Sequence, residues 1–368
     1  MPALAAALDG AGPALLPLPT GGGRGAVVAA LDPTQPLERE DVALVVPTSG
    51  STGEPKGVLL TAAALRHSAR ATHDRLGGAG QWLLALPVTH IAGLTVLVRS
   101  LVARTRPEVL DLYGGFSADA FVAATARMTS EVRHYTALVP TQLRRLLDAG
   151  ADLSTYDGIL VGGAALPAAL ADRAAAAGVR IVTTYGMSET CGGCVYDGVP
   201  LDGVEVVVQD DGRVEVGGPV VFAGYRLRPD LTEQALVDGR HLTQDLGRWA
   251  PDGSGRLEVL GRADDVVISG GVNVPAATVE RVLLDHPDVA ACAVVGRPDP
   301  EWGERVVAVV QPRDWASAPT AELLREHAAD RLEPAALPRE VVLVGQLPVL
   351  ASGKPDKGAI RDLLPGLG

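Results

Sequence analysis

Thr48-Ser49-Gly50-Ser51-Thr52-Gly53-Glu54-Pro55-Lys56-Gly57 decides how this chain is read. Ten residues hold four hydroxyls, three glycines and one lysine. Glycine lets successive backbone N–H groups converge on a concavity that suits an anion, hydroxyls add donors, and an ammonium adds charge. The string suits a polyphosphate. It is not a Walker A loop, because Lys56 is followed by Gly57 in place of Ser or Thr, and Pro55 stands where the second glycine belongs. Working outward, Asp41–Val46 is an apolar run that reads as a strand. Val58-Leu59-Leu60 reads as a second strand, and Ala62–Leu76 as a helix.

Buried-looking runs (Trp82–Leu86, Ile159–Val161, Ile181–Thr184) then alternate with Ala-rich helical stretches (Ala118–Ala126, Gln142–Ala149, Ala168–Ala177). That alternation predicts an α/β fold with substantial sheet. From Val204 to Val221, Val-rich segments broken by Asp202-Gly203 and Asp211-Gly212 predict a small β-subdomain of hairpins. A boundary is expected near Gly261–Asp265. Beyond it a compact α+β unit is expected: helix Ala276–Leu284, strands Val289–Val295 and Arg305–Gln311, helix Thr320–Arg331 and strand Glu340–Val344. The expected layout is a large α/β domain with packed sheets over residues 1–263, followed by a small, mobile α+β domain over residues 264–368.

Composition narrows the function. Of 368 residues, 47% are hydrophobic and 21% charged, which excludes a wholly disordered chain. A net charge of −12 argues against a nucleic-acid binder. The apolar stretch Ile91–Ala103 is too short to span a bilayer and is interrupted by Arg99, so membrane insertion is not expected. No Lys or Arg precedes Arg24, so the start lacks the basic region of a signal peptide. Three cysteines do not make a disulfide framework, and a cytoplasmic setting is expected. Of 32 basic residues only Lys56, Lys354 and Lys357 are lysines, all in Gly- and Pro-bearing stretches, and Asn273 is the sole asparagine. Where Arg is the default, a retained Lys suggests a site that needs a compact ammonium, with chance as the weaker reading.

Further stretches carry candidate chemistry. Thr183-Thr184-Tyr185-Gly186-Met187-Ser188-Glu189-Thr190 ends a buried run with an aromatic platform, and Glu189 offers one carboxylate of the kind Mg²⁺ takes beside phosphates. Val161-Gly162-Gly163-Ala164-Ala165 leaves backbone open to close approach. Turn chemistry alone explains either equally well. Asp245, before Gly247, reads as a turn residue that either accepts ribose hydroxyls or closes an Asx-turn. Gly261-Arg262-Ala263-Asp264-Asp265, leading to Ser269-Gly270-Gly271-Val272-Asn273, reads as a charged pivot before a Gly pair, which fits a hinge. Lys354 lies in the loop Ser352-Gly353-Lys354-Pro355. Cys191-Gly192-Gly193-Cys194 has no second pair, so a four-thiolate zinc site is excluded. His90, between Pro87 and Gly93, is either a core histidine or a loop residue that meets substrate.

Together and in this order, these motifs resemble the acyl-adenylate-forming superfamily of acyl-CoA synthetases, luciferases and peptide-synthetase adenylation domains. Leu86–Leu94 and Tyr185–Gly198 are most similar to its branch acting on 2-succinylbenzoate in menaquinone synthesis. Only 47 residues precede Thr48, fewer than in typical members, so contacts supplied by that region are in question; a homodimer is an admissible state. The resemblance implies a two-step ligase using ATP, Mg²⁺ and CoA on a carboxylic acid. Thr48, Ser49, Gly50, Ser51, Thr52, Gly53 and Lys56 would grip the β- and γ-phosphates, and Ser188 the α-phosphate. Gly162, Gly163, Ala164, Tyr185 and Gly186 would hold adenine, and Asp245 and Arg262 the ribose. Glu189 would hold the metal, and Lys354 would be the adenylation lysine. Asp264 would be the hinge, Gly270, Gly271 and Asn273 would serve the CoA step, and His90, Gly192 and Gly193 would border the acyl group. Two alternatives remain: a ligase for another aromatic or medium-chain acid, and a non-catalytic nucleotide-binding scaffold.

Overall fold

The structure is a computed structural model and describes residues 1–19, 23–49, 55–129, 131–349 and 355–364. Two compact units are present. One comprises Met1–Leu166, Leu170–Thr243 and Trp249–Glu258; the other comprises Pro167–Ala169, Gln244–Arg248 and Val259–Gly368.

The first unit is built on a seven-stranded sheet. Its order is Glu108–Val109, Gly80–Leu84, Arg133–Leu138, Gly158–Val161, Ile181–Met187, Gly192–Tyr196 and Val199–Pro200. The first five strands run parallel, and the last two return antiparallel. Parallel neighbours need crossovers, which helices Ala118–Thr125, Pro140–Asp148 and Ala168–Ala176 supply. The apolar stretch Ile91–Ala103 is also a helix. Strands buried on both faces read as continuous apolar runs, which is why Gly80–Leu84 and Gly158–Val161 were legible. Leu83, Phe121, Leu138, Leu143, Ile159 and Leu170 form one core.

The hydroxyl-rich stretch joins an antiparallel pair, Val42–Ser49 with Pro55–Thr61, in which Thr48 faces Lys56 and Pro47 faces Gly57. A third short strand, Gly224–Tyr225, adds to Pro55–Thr61. Helix Ala62–Leu76 follows at once. Thr61 Oγ1 accepts its Ala64 N–H at 3.1 Å, and Gly77 ends it at φ +97°. Gly57 has no room for a side chain: a Cβ there would lie 2.8–2.9 Å from Leu31, Val45 and Arg226. Arg226 is 2% exposed and donates to four backbone carbonyls, of Leu31, Asp32, Gln35 and Pro36, and to Glu38 Oε2 at 3.0 Å.

A second buried guanidinium lies within helix Ile91–Ala103. Arg99, 3% exposed, reaches the Tyr196 hydroxyl at 3.3 Å and lies 5.0 Å from the Trp82 ring centre. Among the described residues its Nε finds no hydrogen-bond partner. Thr72 Oγ1 shares the Tyr196 hydroxyl at 3.0 Å, and Trp82 Nε1 donates to His73 Nε2 at 3.2 Å.

The Val-rich region does contain a hairpin, Glu205–Val208 with Arg213–Gly217, turning at Asp211-Gly212. Asp202-Gly203 also turns, but it joins strands of two different sheets instead of closing a hairpin, because Val199–Pro200 already pairs with Gly192–Tyr196.

In the second unit, strands Val289–Asp299 and Gly303–Pro312 form a long antiparallel pair; along its other edge Gly303–Pro312 pairs at Gly303 with Ser269 of Val266–Ser269, itself paired with Val272–Pro275, and further on with Glu340–Leu343 in parallel. Helices Ala276–Leu284 and Ala321–Ala329 cover a core of Val279, Leu283, Val294, Val306, Val310 and Leu324. Lys357 opens helix Lys357–Leu363, and its ammonium pairs with Asp265 and with Glu280 (2.9 Å). Among the described residues no helix is long and apolar enough to cross a membrane.

Candidate active site

Ligands of open α/β sheets gather beyond the carboxyl ends of the parallel strands. Here that edge is made of glycines. Strand Gly158–Val161 runs into Gly162 and Gly163, and strand Ile181–Met187 carries Tyr185 and Gly186. The antiparallel return places Gly186 opposite Gly193, and Met187 opposite Gly192. A Cβ on Gly186 would collide with the backbone of Gly192 and Gly193, and one on Gly162 with the Thr184 hydroxyl. A Cβ on Gly193 would lie 3.1 Å from that of Thr184. Three backbone segments therefore meet around Thr184, with Gly163 and Ala164 exposed beside a half-buried Tyr185. The strand continues two residues past Tyr185, where the sequence suggested it would stop.

Helix Ile91–Ala103 presents its first turns to this floor. Thr95 Cγ2 lies 3.2 Å, and Ile91 Cγ1 3.8 Å, from where a Gly192 Cβ would stand. His90, exposed, is the residue before that helix and not a core histidine. The N–H groups of the helix start leave the same end partially positive. Cys191 and Cys194 are fully buried, and neither forms a disulfide. Burial pushes the Cys191 thiol well above its usual range, which removes it from redox chemistry.

Ser188-Glu189-Thr190 form a single 3₁₀ turn, with Ser188 buried and Thr190 Oγ1 tied to Met187 and Gly192. Glu189 Oε1 accepts the Tyr225 hydroxyl at 2.8 Å. The Lys56 ammonium lies 5.5 Å from the centre of the same ring. Lys56, Tyr225 and Glu189 thus form a cation, an aromatic ring and an anion in contact. Among the described residues no group of three His, Cys, Asp or Glu side chains could enclose a metal. A single carboxylate is the sparse ligation that suits Mg²⁺, which keeps waters and takes its other oxygens from phosphates.

In the second unit, Arg262 donates bidentately to Asp264, both bonds at 2.7 Å, and stands 3.8 Å from Asp245. The Arg262 guanidinium beside Asp264 holds its carboxyl below the usual range. Asp245 does not precede a turn, as its Gly247 neighbour suggested; it lies inside the ten-residue strand Arg240–Trp249. Asp264 stands in the short link between strands Leu257–Arg262 and Val266–Ser269. Gly270 and Gly271, at φ +61° and +77°, are the two-residue tip of the hairpin Val266–Ser269/Val272–Pro275, and Asn273 is exposed on its second strand. The Gly pair that follows the expected pivot is a hairpin turn. Gly50, Ser51, Thr52, Gly53 and Lys354 lie outside the described residues, as does the side chain of Ser49.

Sequence reasoning missed Tyr225, Thr184 and Thr95. Thr184 stood inside a quoted motif, but only the strand pairing shows that it underlies Gly162 and Gly193.

The glycine edge of the parallel sheet and the Lys–Tyr–Glu cluster lie in one unit, and the chain belongs to the AMP-binding enzymes. It matches that family over residues 7–240 and the AMP-binding enzyme C-terminal domain over residues 278–354. It is 47% identical over 363 residues to a probable 2-succinylbenzoate–CoA ligase of Mycobacterium tuberculosis, covering 98% of this chain and 94% of that one. A feruloyl-CoA synthase of Amycolatopsis sp is 34% identical, covering 89% of this chain and 71% of the other. Among solved structures, the o-succinylbenzoate CoA synthetase of Bacillus subtilis with its acyl-adenylate intermediate superposes with a TM-score of 0.79 at 30% identity, over 90% of this chain and 71% of that one. The Bacillus enzyme with ATP and a magnesium ion gives 0.77, over 89% and 71%.

Proposed function

We propose that the protein is an ATP-dependent 2-succinylbenzoate–CoA ligase of menaquinone biosynthesis. The observation that carries this reading is the 47% identity to a probable ligase of that specificity across nearly the whole of both chains. The carboxylate is a poor electrophile until its oxygen bonds to the α-phosphorus of ATP. The bond from that phosphorus to the bridging oxygen breaks, and pyrophosphate leaves. The CoA thiol then adds to the acyl carbon, loses its proton and expels AMP. Both steps are mainly positioning and charge stabilisation.

Thr48 and Lys56, with the loop between them, grip the terminal phosphates, and Ser188 meets the α-phosphate. Gly162–Ala164, Tyr185 and Gly186 receive adenine, Asp245 and Arg262 the ribose. Mg²⁺, when bound, would neutralise phosphate charge, and Glu189 would hold it. Lys354 supplies an ammonium for the first step. Rotation of residues 264–368 about Asp264 would exchange Lys354 for the hairpin bearing Gly270, Gly271 and Asn273, admitting CoA. His90 and the Gly192–Gly193 floor border the acyl group. The setting is the cytoplasm, which supplies ATP, CoA and reduced thiols; a homodimer is compatible with this reading.

The likeness to a feruloyl-CoA synthase favours a second reading, a ligase for other aromatic acids. CoA-ester formation across a panel of acids separates the two. A buried polar group left without its partner costs about 1–3 kcal/mol. 4-Oxo-4-phenylbutyrate, which lacks the ring carboxylate, should therefore show kcat/KM at least about tenfold below 2-succinylbenzoate, and His90→Ala should shrink the gap. Equal use of both acids defeats the succinylbenzoate assignment. Absence of ATP–pyrophosphate exchange with every acid would favour a non-catalytic scaffold.

A further inference from the structure

We infer that Tyr225 is a positioning residue that sets the geometry of the metal-binding carboxylate and the phosphate-binding ammonium together. This rests on the reading of Glu189 as the Mg²⁺ ligand and extends it to a residue far from either motif. The juxtaposition is specific. The hydroxyl donates to Glu189 Oε1 at 2.8 Å, and the face of the ring carries Lys56 at 5.5 Å.

The backbone around Tyr225 is fastened to both sides. Phe222 N–H donates to the Glu189 carbonyl at 2.9 Å, while Ala223 and Arg226 N–H donate to Leu59 and Gly57 at 2.8 and 2.7 Å. Tyr225 itself faces Val58 across the sheet, and its N–H donates to Thr232 Oγ1 at 2.8 Å. Phe222 packs edge-on against the ring, at 4.8 Å between centres. One five-residue segment therefore bridges the turn that carries Glu189 and the strand that carries Lys56, and Tyr225 within it is only 7% exposed.

The chemistry follows from this fixity. A carboxylate rotates almost freely about its last bond and offers two equivalent oxygens. A phenol that holds one oxygen leaves the other to face a cation in a single orientation, as partners of metal ligands commonly do. The ring face does the same for the ammonium, since a cation within about 6 Å of a ring centre is attracted to it. Removing the hydroxyl should weaken the metal, and removing the ring should weaken the phosphate grip as well.

The test uses the full chain and the unreactive analogue α,β-methylene ATP, with binding read by calorimetry in Mg²⁺ and in EDTA. The ratio of the two affinities reports what the metal adds. Tyr225→Phe should lower that ratio about tenfold, the usual loss when a metal ligand's partner is removed, with affinity in EDTA kept within about twofold. Tyr225→Leu should lower affinity in EDTA too. Glu189→Gln is the reference. If it lowers the ratio and Tyr225→Phe does not, the positioning role is overturned while the metal assignment stands. If Glu189→Gln leaves the ratio unchanged, the metal assignment falls, and this inference with it. If Tyr225→Leu binds like Tyr225→Phe in EDTA, the ring does not position Lys56.

Discussion

Arg226 and Arg99 are buried to the same degree, 2% and 3% exposed, yet they live in opposite surroundings. Arg226 is saturated: four carbonyls and a carboxylate surround its fork. Arg99 has a phenol, the face of an indole and an Nε without a partner among the described residues. Burial pulls the Arg99 pKa down. The same cause, followed by the Arg99 charge, holds His73 at about 4. A buried guanidinium strengthens a fold when acceptors replace its water and strains it when they do not. The first arginine is a clamp, and the second is a charge the fold carries at a cost.

The largest effect should come from breaking the clamp. Arg226→Ala leaves the Leu31–Glu38 segment without its anchor, and about 3–4 kcal/mol of stability should be lost, read as an earlier urea midpoint with an unchanged slope. Next is the acid response of the other region. His73 is neutral when folded, with Nε2 accepting from Trp82. Its folded pKa lies below its unfolded value, so the stability it contributes is complete above about pH 6.5 and is lost as pH falls from there to about 4. The loss approaches about 3 kcal/mol, and a His73→Gln variant should show a flatter pH–stability curve across that window. Identical curves would mean that His73 protonates freely. The smallest effect is Arg99→Met, which should change stability at pH 7 by no more than about 1 kcal/mol, in either direction, and should soften the acid response by removing the neighbouring charge. A large loss at pH 7 would erase the contrast between the two arginines.

Legibility in the sequence followed the range of the interactions. Helix Ala62–Leu76 was read to the residue because Thr61 and Gly77 punctuate it locally, and Ala276–Leu284 was equally clear. The glycines of the candidate site were visible because close backbone approach leaves no alternative to glycine. Asp245 was misread because Asp-Leu-Gly looks like a turn when its strand neighbours are unknown. The Gly270-Gly271 pair was noticed, but its use as a hairpin tip depends on the pairing of Ser269 with Val272. Tyr225 and Arg226 carried no local signal, since the partners that define them are 36 and about 190 residues away. The roles expected for Lys354 and for Gly50–Gly53 rest on sequence alone.

The clamp has a consequence for synthesis. The Leu31 carbonyl waits for an arginine 195 residues later in the chain, a delay on the ribosome of roughly 10–40 s at about 5–20 residues per second. Until then Gly57 has no Arg226 to pack against, and the strand bearing Lys56 lacks the segment that closes over it. The pair of strands Val42–Ser49 and Pro55–Thr61, although translated early, is therefore among the last parts of its unit to acquire final shape. A nascent chain halted before residue 226 should present it unfinished.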